Sequence, residues 1–310
     1  MNHPIKDTPQ PNNKTVSLVL GSGGARGLAH IGVIRWLEEN GYKICSISGA
    51  SMGALIGGLY ATQQLDEYEN WLKHLSKTEL LSLIDVAWDS SGLIKGEKLF
   101  NKLADFLGDV HIEDLDISYT AVATDIDNEK EVWLQSGLLL KAIRSSISLP
   151  MIFTPFKYHD MTLIDGGVLN PVPIAPTFSD KTDLIIAVNL GGKPQQNLYE
   201  TSAADPQTLS ESSAWLSGLT ESVKEFLADK LGQQKNKVAG LDWNVFNINN
   251  RAFDIMQNTI ARQKLASYPP DITINIPRNA CGMLEFNQID RMVKMGYEQA
   301  GKALSTRPGA

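Results

Sequence analysis

The sequence predicts an α/β fold, a three-layer α/β/α sandwich around a central, mostly parallel sheet. Two observations carry this prediction. Short apolar segments alternate along the chain with segments in which apolar residues recur at helical spacing, as strands and helices do in such folds. In addition, residues 184–188 are apolar without a break, which is typical of a parallel strand covered on both faces.

The first elements follow one another as strand, helix, strand and helix. A strand leads into a glycine-rich loop and a helix that Gly41 ends, and a second strand leads through a tight turn into a second helix. These segments are predicted at residues 16–20, 21–27, 28–37, 44–47 and 54–60. Later strands are predicted at 119–124, 163–164, 184–188 and 272–276, and later helices at 98–107, 138–145 and 288–304.

Length and composition favour one large domain, because a chain of 310 residues that is 43% hydrophobic is near the size at which a single core stops growing. Residues 1–14 are polar and are predicted to form a disordered tail. Residues 15–194 form the predicted core of the domain. Residues 195–310 are predicted to continue it, with a mobile polar loop at 195–208, an amphipathic helix from Trp215 to Leu231 and further helices.

Charge and hydropathy narrow the partners and the location. The formal net charge is −7 and no stretch is rich in Lys or Arg, which argues against nucleic acid as a partner and against electrostatic docking on anionic lipid. At most peripheral, transient membrane contact is expected. The N-terminus lacks the features of a signal peptide, and no apolar run approaches the about 20 residues of a membrane span. The expected location is therefore the cytoplasm, and Cys45 and Cys281 are expected to be free thiols.

The glycine-rich loop GSGGARG, at residues 21–27, exposes backbone N–H groups between a strand and a helix. A dinucleotide site requires glycine where Arg26 stands, and a phosphate loop requires a Gly-Lys-Ser/Thr that is absent. What remains is an oxyanion hole, in which N–H groups near Gly23 and Gly24 stabilise the charge on an attacked carbonyl. A tight turn that needs only glycine conformations is the open alternative.

The segment GASMG, at residues 49–53, follows a strand and opens a helix. This is the context of a nucleophile elbow, in which Gly49 and Gly53 leave room for a sharp turn and Ser51 is presented at the helix N-terminus. A chance occurrence of the G-x-S-x-G pattern is the alternative.

A nucleophilic serine needs a base, and two kinds are available. Of the five histidines, only His111 and His159 fit the chain order of a Ser-acid-His triad, and neither lies among small or turn-forming neighbours. Asp165 ends an apolar strand and precedes Gly166 and Gly167, and a partly buried carboxylate there would be basic enough to serve. An ordinary turn carboxylate is the alternative for Asp165.

The three motifs, in this order, resemble the patatin-like phospholipase family, whose hallmarks are a G-G-x-R-G loop, a G-x-S-x-G serine and a D-G-G/A aspartate. The resemblance continues from AIRSS at residues 142–146 to DGGVLNPVP at residues 165–173, and it covers residues 16–190. One departure is Met151, where relatives more often carry glycine after the proline.

The resemblance implies that Ser51 is the nucleophile and Asp165 its dyad partner. It also implies an oxyanion hole in the glycine loop, at Gly23, Gly24, Ala25 and Arg26. Arg26 is expected to order this loop, and residues 15–194 become the expected catalytic core.

The activity that the resemblance implies is that of a serine acyl hydrolase, a lipolytic esterase of the phospholipase A or lysophospholipase type that works through an acyl-enzyme. Its partner is a lipid or acyl-ester substrate, and no metal or cofactor is called for. An acyltransferase or thioesterase on the same acyl-serine, and a non-catalytic regulatory protein that keeps the fold, are the alternatives. The sequence does not indicate an oligomeric state.

Overall fold

The computed structural model describes residues 13–83, 95–150, 152–195 and 243–305. The chain divides into one compact unit made of Met1–Lys193 and Asp254–Ala310 and a second unit, Pro194–Phe253. Residues 1–12 of the predicted tail, residues 196–208 of the predicted loop and the predicted helix from Trp215 to Leu231 lie outside the described residues.

Within the described ranges, eight strands form one sheet. They are β1 Thr15–Leu20, β2 Lys43–Ala50, β3 Ser118–Asp125, β4 Lys130–Leu134, β5 Phe156–Tyr158, β6 Met161–Asp165, β7 Leu184–Gly192 and β8 Ile272–Pro277. Consecutive strands pair along the path β5-β6-β3-β2-β1-β7-β8, and β4 pairs with the other edge of β3, so β6 and β2 share one edge of β3. The pairs among β1, β2, β3, β7 and β8 are parallel, whereas those that involve β4, β5 and β6 are antiparallel. The sheet is therefore mostly parallel, as predicted.

Helices flank both faces of this sheet, some of them packed on it directly and others, such as those at 65–74 and 77–83, packed on neighbouring helices. They are α1 Ala29–Glu39, α2 Met52–Ala61, α3 Leu65–His74, α4 Lys77–Leu83, α5 Glu97–Leu107, α6 Leu139–Ser146, α7 Trp243–Ser267 and α8 Ile289–Ser305. Gly57 of α2 packs against Leu20 of β1. Ala261 of α7 packs against Val19, the preceding β1 residue, whose side chain points to the opposite face. The three-layer α/β/α sandwich is confirmed.

The predicted strands and helices that fall in the described residues are confirmed, with ends displaced by a few residues. The glycine loop differs in one respect, because its second half forms a short 3-10 helix, Gly24–Leu28. Elements that the sequence did not reveal are α3, α4 and the antiparallel strands β4 and β5. None of the described helices combines the length and the apolar character that a bilayer span requires.

Candidate active site

Ser51 occupies a sharp turn between β2 and α2. Its φ of 54° and ψ of −125° lie in a region that favours glycine, and such a conformation persists only where the surroundings enforce it. A Cβ at Gly53 would clash with the Leu20 carbonyl oxygen, and a Cβ at Gly49 would lie 2.5 Å from the Ala54 nitrogen. Both glycines are therefore required by the close approach of the chain to itself, in the strand–turn–helix context that the sequence predicts.

Ser146, at the end of α6, holds this turn against β3. The Ser51 N–H donates to Ser146 Oγ at 2.9 Å, and the Ser146 hydroxyl donates to the Val122 carbonyl at 2.6 Å. Ser146 is completely buried. Sequence reasoning gave it no role, although it lies in the block at 142–146 that carries the family resemblance. A small polar residue in a buried helix face was the available signal.

Strand register brings Asp165 next to Ser51. Ala50, the last residue of β2, pairs with Val122, and Asp165 at the end of β6 pairs with the next β3 residue, Ala123. Because β4 occupies the other edge of β3 over both positions, β2 and β6 follow one another along the same edge. Ser51 directly follows Ala50, so the serine and the aspartate are neighbours at this edge.

Backbone contacts fix the direction of the Asp165 side chain. The Asp165 N–H donates to the Ser148 carbonyl at 3.0 Å, and Oδ1 accepts the Gly167 N–H at 2.7 Å. Gly166 lies so close to the Val122 carbonyl that no Cβ would fit. The two glycines thus let the chain turn back and bond to the carboxylate that precedes them.

The Asp165 carboxyl group is completely buried. Burial raises the pKa of Asp165 from 3.8 to about 7, against the opposing effects of the Ser51 hydroxyl and the Gly167 N–H. Among the described residues, Oδ2 has no hydrogen-bond partner. The Ser51 hydroxyl is therefore close enough to lower the Asp165 pKa, but it does not form a hydrogen bond of ordinary geometry with the carboxylate. A carboxylate with this pKa is a much stronger proton acceptor than a solvated one.

The glycine loop follows β1 and carries the candidate oxyanion donors. In the part of the chain that the structure describes, the N–H groups of Gly23 and Gly24 have no hydrogen-bond partner. The Ala25 N–H, by contrast, donates to the Met283 carbonyl at 2.8 Å. Since the Ala25 N–H is already engaged, the Gly23 and Gly24 N–H groups are the available candidates, and the oxyanion hole at Gly23, Gly24, Ala25 and Arg26 stays a prediction.

Arg26 is buried and holds the loop from within. Its Nε donates to the Gly23 carbonyl at 3.1 Å, which fits the expected ordering role. Its other nitrogens donate to the Arg278 carbonyl at 3.0 Å and to Asp254 Oδ1 at 2.7 Å. Each of the three guanidinium nitrogens thus makes a structural contact. Asp254 lies on α7, and no sequence motif pointed to it.

None of the contacts described for His30, His111 and His159 is with the serine. His30 is completely buried and its Nε2 donates to the Gly21 carbonyl at 2.9 Å, so that nitrogen carries the proton. Burial lowers the pKa of His30 to about 4, which keeps the ring neutral. His111 and His159 are exposed, and none of their described contacts reaches the serine or the aspartate. A Ser-His triad therefore has no support in this arrangement.

Cys45 and Cys281 are free thiols, the first partly buried and the second buried. Over the described ranges, no group of three His, Cys, Asp or Glu side chains is arranged to hold a metal ion.

Comparison with known proteins identifies the family. The family model for patatin-like phospholipase matches residues 18–178. The uncharacterized NTE family protein Rv1063c of Mycobacterium tuberculosis is 37% identical over 332 residues, which cover 93% of this chain and 91% of that protein. Neuropathy target esterase sws of Drosophila melanogaster is 33% identical over 193 residues, 59% of this chain and 13% of that protein. Lysophospholipase NTE1 of Scheffersomyces stipitis is 33% identical over 184 residues, 58% of this chain and 12% of that protein. The chain belongs to the patatin-like phospholipase family of lipid-hydrolysing enzymes.

Proposed function

We propose that the protein is a serine acyl hydrolase of lipid esters, with Ser51 as the nucleophile and Asp165 as its base. The observation that carries the proposal is the buried Asp165 carboxylate, with a pKa near 7, at the same edge of β3 as Ser51. The family supports a lipid substrate, and the relative named lysophospholipase makes a lysophospholipid the first substrate to test.

In the proposed first step, the Ser51 oxygen attacks the ester carbonyl carbon and its proton passes to Asp165. The carbonyl oxygen becomes an oxyanion and accepts hydrogen bonds from the N–H groups of Gly23 and Gly24, for which the described residues offer no acceptor. When the tetrahedral intermediate collapses, the bond to the leaving alkoxide breaks and the alkoxide takes the proton from Asp165. The products are a free alcohol and an acyl ester on Ser51.

In the second step, water attacks the acyl-enzyme and gives a proton to Asp165. Collapse of this intermediate releases the carboxylic acid and returns the proton to the Ser51 oxygen. An alcohol in place of water would give acyl transfer through the same intermediate. The two outcomes are separated by the products formed in the presence and absence of an acyl acceptor.

The turn that presents Ser51 also determines which backbone groups near the serine are available for the proposed reaction. The Ser51 N–H is engaged by Ser146 Oγ and so does not contribute to the proposed oxyanion hole. The hydroxyl lies at the N-terminus of α2, where the helix dipole favours the developing negative charge on the nucleophile.

Labelling with a fluorophosphonate probe tests this proposal. We expect a covalent adduct on Ser51, located by mass spectrometry, that is lost in Ser51→Ala and strongly reduced in Asp165→Asn. Asp160→Asn is a matched control, because Asp160 is an exposed carboxylate in the hairpin that leads to Asp165. A folded wild-type protein that forms no adduct and hydrolyses no lysophospholipid would favour the non-catalytic regulatory alternative.

A further inference from the structure

Helix α7 contacts the glycine loop from outside the region that the family model matches. Asp254 Oδ1 accepts a hydrogen bond from Arg26 at 2.7 Å, and Gln257 Nε2 donates to Ser22 Oγ at 3.1 Å. We propose that Asp254 and Gln257 are positioning residues that hold the loop N–H groups in the orientation that an oxyanion requires. This inference rests on the proposed function.

Asp254 influences the direction of the Gly24 N–H indirectly, through Arg26 and the rigid peptide between Gly23 and Gly24. The Gly23 carbonyl and the Gly24 N–H belong to the same planar trans peptide unit, so they point in opposite directions. Arg26 Nε holds the Gly23 carbonyl at 3.1 Å and thereby sets the direction of the Gly24 N–H. Because Asp254 holds the Arg26 guanidinium in place, it helps to fix the direction of the Gly24 N–H without touching it.

The pair of Arg26 and Asp254 has the geometry of a strong contact. The Arg26 side chain is only 5% exposed, and the described residues give its guanidinium one carboxylate partner, Asp254, which is 33% exposed. A buried guanidinium that loses its anionic partner is destabilised and shifts toward water or other acceptors. Such a shift would draw Nε away from the Gly23 carbonyl and release the peptide that it holds.

Gln257 fixes the loop at the residue before Gly23. Ser22 donates its N–H to the Pro171 carbonyl at 2.8 Å, and its Oγ accepts from Gln257, which is 5% exposed. Gly167 lies so close to both Ser22 Oγ and Gln257 Nε2 that no Cβ would fit between them. Gln257 therefore meets the glycine loop and the turn after Asp165 at one point, and sets their spacing.

A substitution series separates positioning from ordinary stabilisation. Asp254→Ala and Gln257→Leu remove the two contacts, and Asp254→Asn removes only the charge. Lys264→Gln is the matched control, because it breaks another ion pair of α7, with Glu131 at 3.2 Å, that does not touch the glycine loop. Each variant is assayed for kcat and KM on a soluble short-chain ester and for its thermal midpoint.

We expect Asp254→Ala and Gln257→Leu to lower kcat by about tenfold or more and to change KM by less than about twofold. The reason is that loss of an oxyanion donor lowers kcat by about 10²–10³-fold, and a misdirected donor lowers it by less. Asp254→Glu should restore most of the loss, and Lys264→Gln should leave kcat unchanged. If Asp254→Ala unfolds, Asp254→Asn takes its place, because it also removes the anionic partner of Arg26 and should lower kcat in the same way.

Two results would overturn this inference while leaving the proposed function intact. In the first, the wild type is active and the variants at Asp254 and Gln257 keep its kcat. In the second, kcat falls in proportion to the thermal midpoint, and Lys264→Gln shows the same relation between the two. A folded wild type that neither turns over ester nor takes a phosphonate on Ser51 would overturn the proposed function and this inference together.

Discussion

Ser51 and Asp165 meet at one edge of β3, because Ala50, the residue before Ser51, and Asp165 pair with successive β3 residues. Ser51 is 7% exposed and Asp165 is fully buried. Their proximity thus depends on strand register rather than on a flexible loop. A slip of β6 by one residue would turn the Asp165 side chain to the other face of the sheet. The pairing of β6 with β3 is therefore as important for the proposed chemistry as the carboxylate itself.

Replacing the base should nearly abolish turnover. Asp165→Asn keeps the size of the side chain but cannot accept the Ser51 proton, so we expect kcat to fall by about 10²–10⁴-fold. Steady-state hydrolysis of lysophospholipid and of a chromogenic ester measures this, with Asp160→Asn as the control. Activity within tenfold of wild type would place the base elsewhere, and His111→Ala and His159→Ala would then identify it.

The pH dependence of kcat/KM should reflect the Asp165 carboxylate. Because burial raises its pKa to about 7, the basic form is scarce at pH 5 and predominates above pH 8. We expect kcat/KM to rise about tenfold per pH unit below pH 7 and to level off above it. Initial rates between pH 5 and pH 9 test this. A profile that is already flat at pH 5 would mean that the carboxylate titrates near its solvated value.

The same carboxylate should lower stability as pH rises. Its folded pKa is raised from 3.8 to about 7, so between these values the native protein keeps a proton that the unfolded chain has released. The free energy of unfolding then falls with pH, by up to about 1.4 kcal/mol per unit, and Asp165→Asn removes this effect. Urea unfolding should show a stability gain of Asp165→Asn over wild type that is larger at pH 8 than at pH 5.

Comparing wild type with Asp165→Asn at each pH cancels the contributions of other titrating groups to the free energy of unfolding. His30 is one of them, since its lowered pKa destabilises the folded state as pH falls from 6.5 toward 4, and it does so in both proteins. An equal gain of Asp165→Asn at both pH values would contradict the buried, high-pKa carboxylate.

Removing the Ser146 hydroxyl should loosen the Ser51 turn. Ser146→Ala removes the acceptor of the Ser51 N–H and one donor to the Val122 carbonyl, and leaving a buried N–H without its acceptor costs about 1–3 kcal/mol of stability. We also expect a lower kcat, because the strained turn loses its support. Ser145→Ala is the control, since in the described part of the chain the neighbouring hydroxyl bonds back to the Lys141 carbonyl within α6 and to no other group. Equal kcat values for the two variants would deny Ser146 this role.

Thiol reagents should leave activity intact. Cys45 is partly buried on β2, and burial raises the pKa of the Cys281 thiol to about 12, so Cys281 is unreactive near neutral pH. Treatment with N-ethylmaleimide, followed by mass spectrometry and an activity assay, checks this. Inactivation that tracks modification of Cys45 would instead place this thiol within reach of the site.

The parallel part of the sheet and the Ser51 turn could be predicted because their determinants are local. Strands β1 and β7 are buried and read as apolar runs, and Gly49 and Gly53 mark a turn that no larger residue would allow. The antiparallel strand β5, with three half-exposed or exposed residues, has too little pattern for any period to be recognised.

Contacts between distant residues could not be predicted from one sequence. Ser146 acts on a residue 95 positions away, and Asp254 on one 228 positions away. Neither is marked by a neighbouring glycine or a helical period. The bond from the Ala25 N–H to the Met283 carbonyl is of the same kind, and no pattern in the glycine loop indicates that this N–H is engaged.

The long span of the α7 contacts has a consequence for the order of folding. Arg26 and Asp254 are 228 residues apart, and Ser22 and Gln257 are 235 apart. Contacts of such separation repay their loop-closure entropy only after much of the chain is already ordered. The glycine loop would therefore gain its final support late, when α7 docks. A refolding molecule would hold its serine turn before it could stabilise an oxyanion, so recovery of activity would lag behind recovery of secondary structure.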